Sequence, residues 1–342
     1  MLLEPIKWRD GKIIFIDQTK LPSRLEYIKC RDVSMLCDAI EKLKIRGAPL
    51  IGVSVALGYA LAAVNSGSGT LERLKRDLAA ASSGLKKTRP TAVNLFWAIE
   101  RMEKTFACLL SCSAKIRDIK KSLLKEALCI LKEDREMCRL IGENGARLIK
   151  NRDIILTHCN AGMLATAGYG TALSVFYEAK KQGKKFKVYA DETRPLMQGS
   201  RLTMWELMKN KIDAVLICDD MSAGVMANKG VTKIIVGADR IAANGDTANK
   251  IGTYGLAVLA RYHGIPFYIA APSSTIDKSI KTGKDIPIEE RKAIELIYTG
   301  GRQTAPLKAK VYNPAFDVTP ANLITAIITE SGIYDIERFR GV

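Results

Sequence analysis

From about residue 150 onward, short β-forming runs alternate with helical patterns, and this alternation constrains the fold more than any other feature. The runs are DIILTHC (Asp153–Cys159), KVYADE (Lys187–Glu192), AVLICDD (Ala214–Asp220), KIIVGAD (Lys233–Asp239) and PFYIAAP (Pro266–Pro272). They recur at intervals of about 20–35 residues, each interval holding one helical segment, the signature of βαβ units and a parallel sheet. The earlier part reads differently. After a β-like opening at Lys12–Pro22, apolar spacing suggests helices over about 32–45, 49–64, 71–85, 91–113 and 115–150, the last broken near Gly142–Gly145. Asn65 to Gly69 reads as a loop and Thr88 to Thr91 as a helix entry. The expectation is an α/β protein: a mainly helical N-terminal domain over 1–150, with a short β-like opening, and a Rossmann-like parallel-sheet C-terminal domain over 151–342.

Composition narrows the function classes. With 342 residues, 47% hydrophobic and 26% charged, the chain is neither disordered, collagen-like nor a disulfide-stapled miniprotein. Its longest uncharged apolar run, Leu50–Val64, falls short of the roughly 18–20 residues a bilayer span needs, so a buried helix is expected and no membrane partner. Glu4, Pro5, Trp8 and Arg9 stand where a secretion signal would carry its apolar stretch, so a cytoplasmic location is expected. The net charge of +17 is compatible with nucleic acid or with small anions. The lysine doublets (Lys86–Lys87, Lys120–Lys121, Lys180–Lys181, Lys184–Lys185) lack interleaved aromatics for base stacking, and no specific nucleic-acid partner is expected. Eight cysteines without a C-x-x-C pair and two histidines give no basis for a metal site.

In an open parallel sheet, ligands bind outside the carboxyl ends of the strands. Those ends carry Thr157-His158-Cys159-Asn160, Asp191-Glu192-Thr193-Arg194-Pro195, Asp219-Asp220-Met221, Gly237-Ala238-Asp239-Arg240 and Ala271-Pro272-Ser273-Ser274. Cys159 precedes a helical segment expected near Met163, and a thiol near a helix N-terminus is activated as acid, base or nucleophile. The alternative is a small buried apolar residue. Asp239 suits proton transfer with Cys159, or a turn cap, or an ion pair with Arg240. Arg46-Gly47-Ala48-Pro49, Thr88-Arg89-Pro90-Thr91 and Asn249-Lys250 each place a cation at the expected start of a helix, an arrangement that suits phosphate. Neither G-x-G-x-x-G after a strand nor G-x-x-x-x-G-K-[ST] occurs, which disfavours dinucleotides and nucleoside triphosphates.

Six strings resemble methylthioribose-1-phosphate isomerases: IRGAP (45–49), TRPTAVNL (88–95), THCNAG (157–162), ADETRP (190–195) with Gln198-Gly199, GADRIAANGDTANKIGTY (237–254) and NPAFDVTP (313–320). The resemblance runs in order from about Ile6 to Ile333. The same superfamily holds ribose-1,5-bisphosphate isomerases and regulatory subunits of the translation-initiation guanine-exchange factor. The opening IKWRDGKIIFIDQTKLP looks like the methylthioribose branch. The resemblance implies an aldose–ketose isomerase of methionine salvage that acts on a phosphorylated pentose, as a homodimer, without cofactor or metal. Related sugar phosphates (ribose 1,5-bisphosphate, 5-deoxyribose 1-phosphate) and a non-catalytic translation-factor subunit are the competing readings. It further implies that Cys159 and Asp239 are the catalytic pair and that Arg46, Gly47, Ala48, Arg89, Gln198, Asn249 and Lys250 bind substrate. Met163, Ser200 and Met204 stand where small residues are commoner in the family.

Overall fold

The structure, a computed structural model, describes residues 3–67 and 69–339. Ser68 of the expected loop and residues 340–342 lie outside the described residues. The chain divides into two compact units, Met1–Cys138 with Met163–Gly170, and Arg139–Gly162 with Thr171–Val342.

The first unit opens with an antiparallel sheet of β1 (Ile6–Arg9), β2 (Lys12–Ile16) and β3 (Tyr27–Cys30). Five helices follow: α1 (Val33–Glu41), α2 (Ala48–Asn65), α3 (Leu71–Thr88), α4 (Val93–Ser111) and α5 (Ile116–Ala146), whose last residues belong to the second unit. By length and composition α2 is apolar enough to cross a membrane, yet most of it is buried within the structure. Leu50, Val55, Ala56, Leu57, Ala60 and Leu61 form the middle of the unit's core, with Leu36, Leu78, Leu95, Ile99 and Leu123 from the neighbouring helices. A helix apolar all round is stable only inside such a core. Asp134 of α5, also buried, accepts a hydrogen bond from the Ala167 amide at 2.6 Å.

Two expectations are corrected here. The break near Gly142–Gly145 is absent, and α5 runs on to Ala146. The two glycines instead let neighbouring chain approach: a Cβ on Gly142 would lie 2.9 Å from the Ser174 carbonyl, and one on Gly145 would lie 2.4 Å from Val175. The helix entry expected at Thr88–Thr91 also moves, because α3 continues through Thr88 and α4 starts at Val93. Arg89 is thus the C-terminal cap residue of α3.

The second unit is built on a seven-stranded sheet of β4 (Ile154–Thr157), β5 (Lys187–Asp191), β6 (Asp213–Ile217), β7 (Lys233–Val236), β10 (Phe267–Ala270), β15 (Ala326–Thr329) and β16 (Gly332–Asp335). Its spatial order is β16-β15-β10-β7-β4-β5-β6, and every pairing is parallel except that of β15 with β16. Helices α6 (Ala172–Lys181), α7 (Met204–Lys209), α8 (Ser222–Asn228) and α9 (Thr253–Tyr262) lie between strands in sequence. All four residues of β7 are buried, as befits a central strand covered on both faces. From β4 the chain steps outward to β5 and β6, then returns to the other side of β4 as β7. Strand order therefore reverses between β4 and β7, the point where doubly wound sheets open a crevice.

A smaller sheet was not expected from the sequence. It runs β11 (Ile276–Asp277), β8 (Arg240–Ala242), β9 (Thr247–Lys250), β14 (Phe316–Thr319), and a short hairpin of β12 (Tyr298–Thr299) and β13 (Arg302–Gln303) stands apart from it. Asn249 and Lys250 therefore lie on a strand, facing Asp317 and Phe316 of β14 in register, and not at the start of a helix.

Candidate active site

In the second unit, Cys159 and Asp239 follow the two strands at which the order reverses. Cys159 comes two residues after the end of β4, half-buried, with φ near 60°. That left-handed backbone is uncommon outside glycine and holds the residue in a sharp turn. The turn is fixed from both sides: the Cys159 amide donates to Thr193 Oγ1 at 2.8 Å, and Thr203 Oγ1 donates to the Cys159 carbonyl at 2.6 Å. The helix expected near Met163 is only a 3-10 turn, Met163–Ala165, and α6 starts at Ala172. A loop at the sheet end, rather than a helix N-terminus, presents the thiol.

Asp239 follows β7 and is likewise half-buried, its amide donating to the Ala248 carbonyl at 2.9 Å. That bond ties it to β9, which carries Asn249 and Lys250. Arg240 reaches Asp277 at 3.4 Å. The two loops touch, since a Cβ on Gly237 would stand 2.6 Å from that of Ala161. Only a residue without a side chain lets the β7 loop pass so near the Cys159 loop.

Gln198 precedes a single π-helical turn, Gly199–Thr203, a local irregularity frequent at functional sites. A Cβ on Gly199 would sit 1.6 Å from the Asp191 carbonyl, so this turn lies directly on the end of β5. Gln198 is buried, and its Oε1 makes no hydrogen bond among the described residues. A buried acceptor without a partner costs about 1–3 kcal/mol unless a ligand or water supplies the donor. Asn249, also buried, donates to Thr253 Oγ1 at 3.0 Å, and the Lys250 ammonium donates to the Ala315 carbonyl at 2.8 Å over the Phe316 ring. Thus Cys159, Asp239, Gln198, Asn249 and Lys250 are interlocked through Thr193, Gly199, Gly237 and Ala248.

The other residues of the set belong to the first unit. Arg46 Nε donates to Gln18 Oε1 at 2.9 Å, and Gln18 Nε2 donates to the Leu164 carbonyl at 2.7 Å. Gly47 caps α2 with φ 95°, and a Cβ there would collide with Ala165 at 2.5 Å. Ala48 and Pro49 form the first turn of α2, as expected. The Arg89 connection leads into α4, where the Asn94 carbonyl lies 3.0 Å from a Cβ built on Gly52 of α2. Met163 is buried within this unit.

The sequence reading marked His158, Asp191 and Asp219 only as polar groups at strand ends, without a role, and missed Glu206. His158, Asp191 and Asp219 bring potential ligand atoms within 4.8 Å of one another. These atoms are engaged internally, as Asp219 accepts from the amides of Thr193 and Arg194 at 2.8 and 2.7 Å and Asp191 Oδ1 accepts from Ser222 at 2.7 Å. The cluster is a hydrogen-bond network that fixes three strand ends. Glu206, fully buried, accepts from Asn160 Nδ2 at 2.8 Å and from the Tyr177 hydroxyl at 2.7 Å, anchoring the residue after Cys159. Strand-end position marked His158, Asp191 and Asp219, whereas nothing local marked Glu206.

Residues 44–336 match the Initiation factor 2 subunit family. A 5-deoxyribose 1-phosphate isomerase from Moorella thermoacetica is 54% identical over 97% of this chain and 94% of its own length. A methylthioribose-1-phosphate isomerase from Heliobacterium modesticaldum is 53% identical over 97% of this chain and 96% of its own. Among solved structures, 5-methylthioribose 1-phosphate isomerase from Pyrococcus horikoshii superposes with a TM-score of 0.91 at 44% identity, covering 99% of this chain and 94% of that one. A structure described as translation initiation factor eIF-2B, subunit delta, from A. fulgidus gives 0.88 at 48%, covering 99% and 100%. With relatives this similar along nearly the whole chain, the chain belongs to the Initiation factor 2 subunit family and, within it, to the methylthioribose-1-phosphate isomerases.

Proposed function

We propose that this protein converts 5-methylthioribose 1-phosphate to 5-methylthioribulose 1-phosphate in methionine salvage, in the cytoplasm and as a homodimer. The observation that carries this reading is the placement of Cys159 and Asp239 on adjoining loops after β4 and β7. In such a substrate the anomeric oxygen bears phosphate, so the ring does not open spontaneously as a free sugar does. The enzyme must break the C1–ring-oxygen bond and move a hydrogen from C2 to C1, with no net oxidation. In this reading Asp239 gives a proton to the ring oxygen as the ring opens, Cys159 assists the C2-to-C1 transfer, and the C2 hydroxyl proton, released as C2 becomes the ketone, replaces the one Asp239 gave, in a Rossmann-like catalytic domain. Gln198, Asn249 and Lys250 bind the sugar phosphate, as do Arg46, Gly47, Ala48 and Arg89, which suits their cationic and helix-start chemistry. The orphan acceptor on Gln198 calls for a donor such as a sugar hydroxyl.

The Moorella relative supports a second reading in which 5-deoxyribose 1-phosphate is the substrate, the two sugars differing only at C5. Comparing kcat/KM on methylthioribose 1-phosphate, 5-deoxyribose 1-phosphate and ribose 1,5-bisphosphate decides between them. The first is expected to lead. Turnover of none of the three would sink the isomerase reading and favour a regulatory subunit.

A further inference from the structure

We propose that His158 is a buried imidazolium, sharing a proton with Asp191, that positions the Cys159 loop against the loop following Asn249 and Lys250. The inference rests on the reading of Cys159 as a catalytic group and adds a positioning residue to it. Both ring nitrogens of His158 are engaged: Nδ1 faces Asp191 Oδ2 at 2.9 Å, and Nε2 faces the Ile251 carbonyl at 2.9 Å. A carbonyl only accepts, so Nε2 carries a hydrogen. Asp191 Oδ1 accepts from Ser222, so the hydrogen shared by the two side chains lies between Nδ1 and Oδ2, and the neighbouring Asp219 carboxylate favours it on the ring.

The surroundings favour a charged ring. His158 is 2% exposed and Asp191 1%, so an unpaired charge on either would be costly. Burial is the largest influence on the ring and opposes the proton. The Asp191 hydrogen bond and charge, the Asp219 charge and the Ile251 carbonyl outweigh it and hold His158 above its ordinary range. Burial also raises Asp191 against the His158 contact, so the proton between them belongs to the pair. The third carboxylate coupled to the ring is Asp317, which accepts from the amides of Gly252 and Tyr254 at the start of α9.

The consequence is positional. His158 immediately precedes Cys159, and Ile251 immediately follows Lys250, so the ring's two hydrogen bonds bind the ends of β4, β5 and β9 into one body. The pair's proton is lost as pH rises through its raised pKa. The Asp191 bond then weakens.

The chain has two histidines, His158 and His263, so protein labelled with ¹⁵N-histidine gives a spectrum of two rings. His158 is expected to show both ring nitrogens protonated at pH 7.5. A bare ring nitrogen on His158 at that pH overturns the proposal. His158→Gln keeps a donor toward Ile251 and loses Asp191, and Asp191→Asn keeps the shape without the charge. Each is expected to lower kcat by about 10²-fold with KM little changed, the scale of a small misplacement of a reacting group. In Asp191→Asn the alkaline limb of the kcat profile should also move to lower pH, which loss of packing alone would not produce. Wild-type kcat in both variants overturns the proposal. The ring spectrum of the wild type stands whether or not the variants fold. Full activity of Cys159→Ser, with the imidazolium signal intact, would instead overturn the reading of Cys159.

Discussion

Two polar networks in this protein use charge under opposite conditions of burial. On the first unit, Arg101 of α4 forms a bidentate pair with Glu133 at 2.5 and 2.9 Å and a further bond to Glu126 at 2.6 Å, both on α5. Its side chain is 28% exposed and Glu133 42%, so water and salt compete for every one of these contacts. At the sheet end of the second unit, His158, Asp191, Thr203 and Glu206 are almost wholly removed from water, and each polar group meets a named partner. The helical network can be lost piecemeal. In the buried one, deleting a member strands its partners, and those partners hold the loop that carries Cys159.

The contrast is broken most directly at the chemistry itself. Cys159→Ser and Asp239→Asn keep shape but alter or remove a proton-transferring group, and each is expected to lower kcat by about 10²–10⁴-fold with modest change in KM. Steady-state kinetics run beside thermal melts check this. A loss of stability with normal turnover in the folded fraction would identify both as packing residues.

Next in size is Glu206→Ala, which leaves the Asn160 amide and the Tyr177 hydroxyl without their acceptor. A loss of about 1–3 kcal/mol for each stranded group is expected in denaturant titrations, with partial recovery in Glu206→Gln. A loss below about 1 kcal/mol would show that water takes over the two donors.

The first unit has a buried ionisable group of its own, and it sharpens the comparison. Burial pushes the Asp134 carboxyl up to about 7, against the Ala167 amide and the charge of Arg135, which lower it. Folding therefore favours its protonated form, and its contribution to stability falls as pH rises from about 4 to about 7. Asp134→Asn should remove that slope, so that the Tm advantage of the variant grows across this window and levels off above it. A constant difference at all pH values would contradict the assignment. The smallest effect is expected for Arg101→Ala, about 1 kcal/mol and shrinking with added salt.

The parallel sheet was legible because its strands are nearly continuous apolar runs, as in Lys233–Val236 and Phe267–Ala270. The smaller sheet was not. Its strand Thr247–Lys250 has the polar sequence TANK, yet all four residues are buried, and β8 and β14 pair along its two edges. Periodicity reports burial on a face, and a polar strand paired on both edges gives no such signal. Cys159 and Asp239 could be marked from strand ends and motifs. Glu206, Thr193 and Thr203 act on loops reached only through the tertiary fold, so nothing near them in sequence announced their partners. Gly142 and Gly145 were read as helix breakers because local propensity was the only guide, whereas the structure uses them as places of close approach.

The contact of Gly199 with the Asp191 carbonyl bears on how an enzyme of this kind changes under selection. In a saturation library over residues 196–204, position 199 should tolerate glycine alone, since even one methyl group would overlap the strand end. Ser200 and Met204 flank that fixed point and are only partly buried. Substitution in this turn can therefore draw on the neighbours of Gly199 while the anchor itself stays invariant, which confines change to side-chain size and leaves the backbone path unchanged.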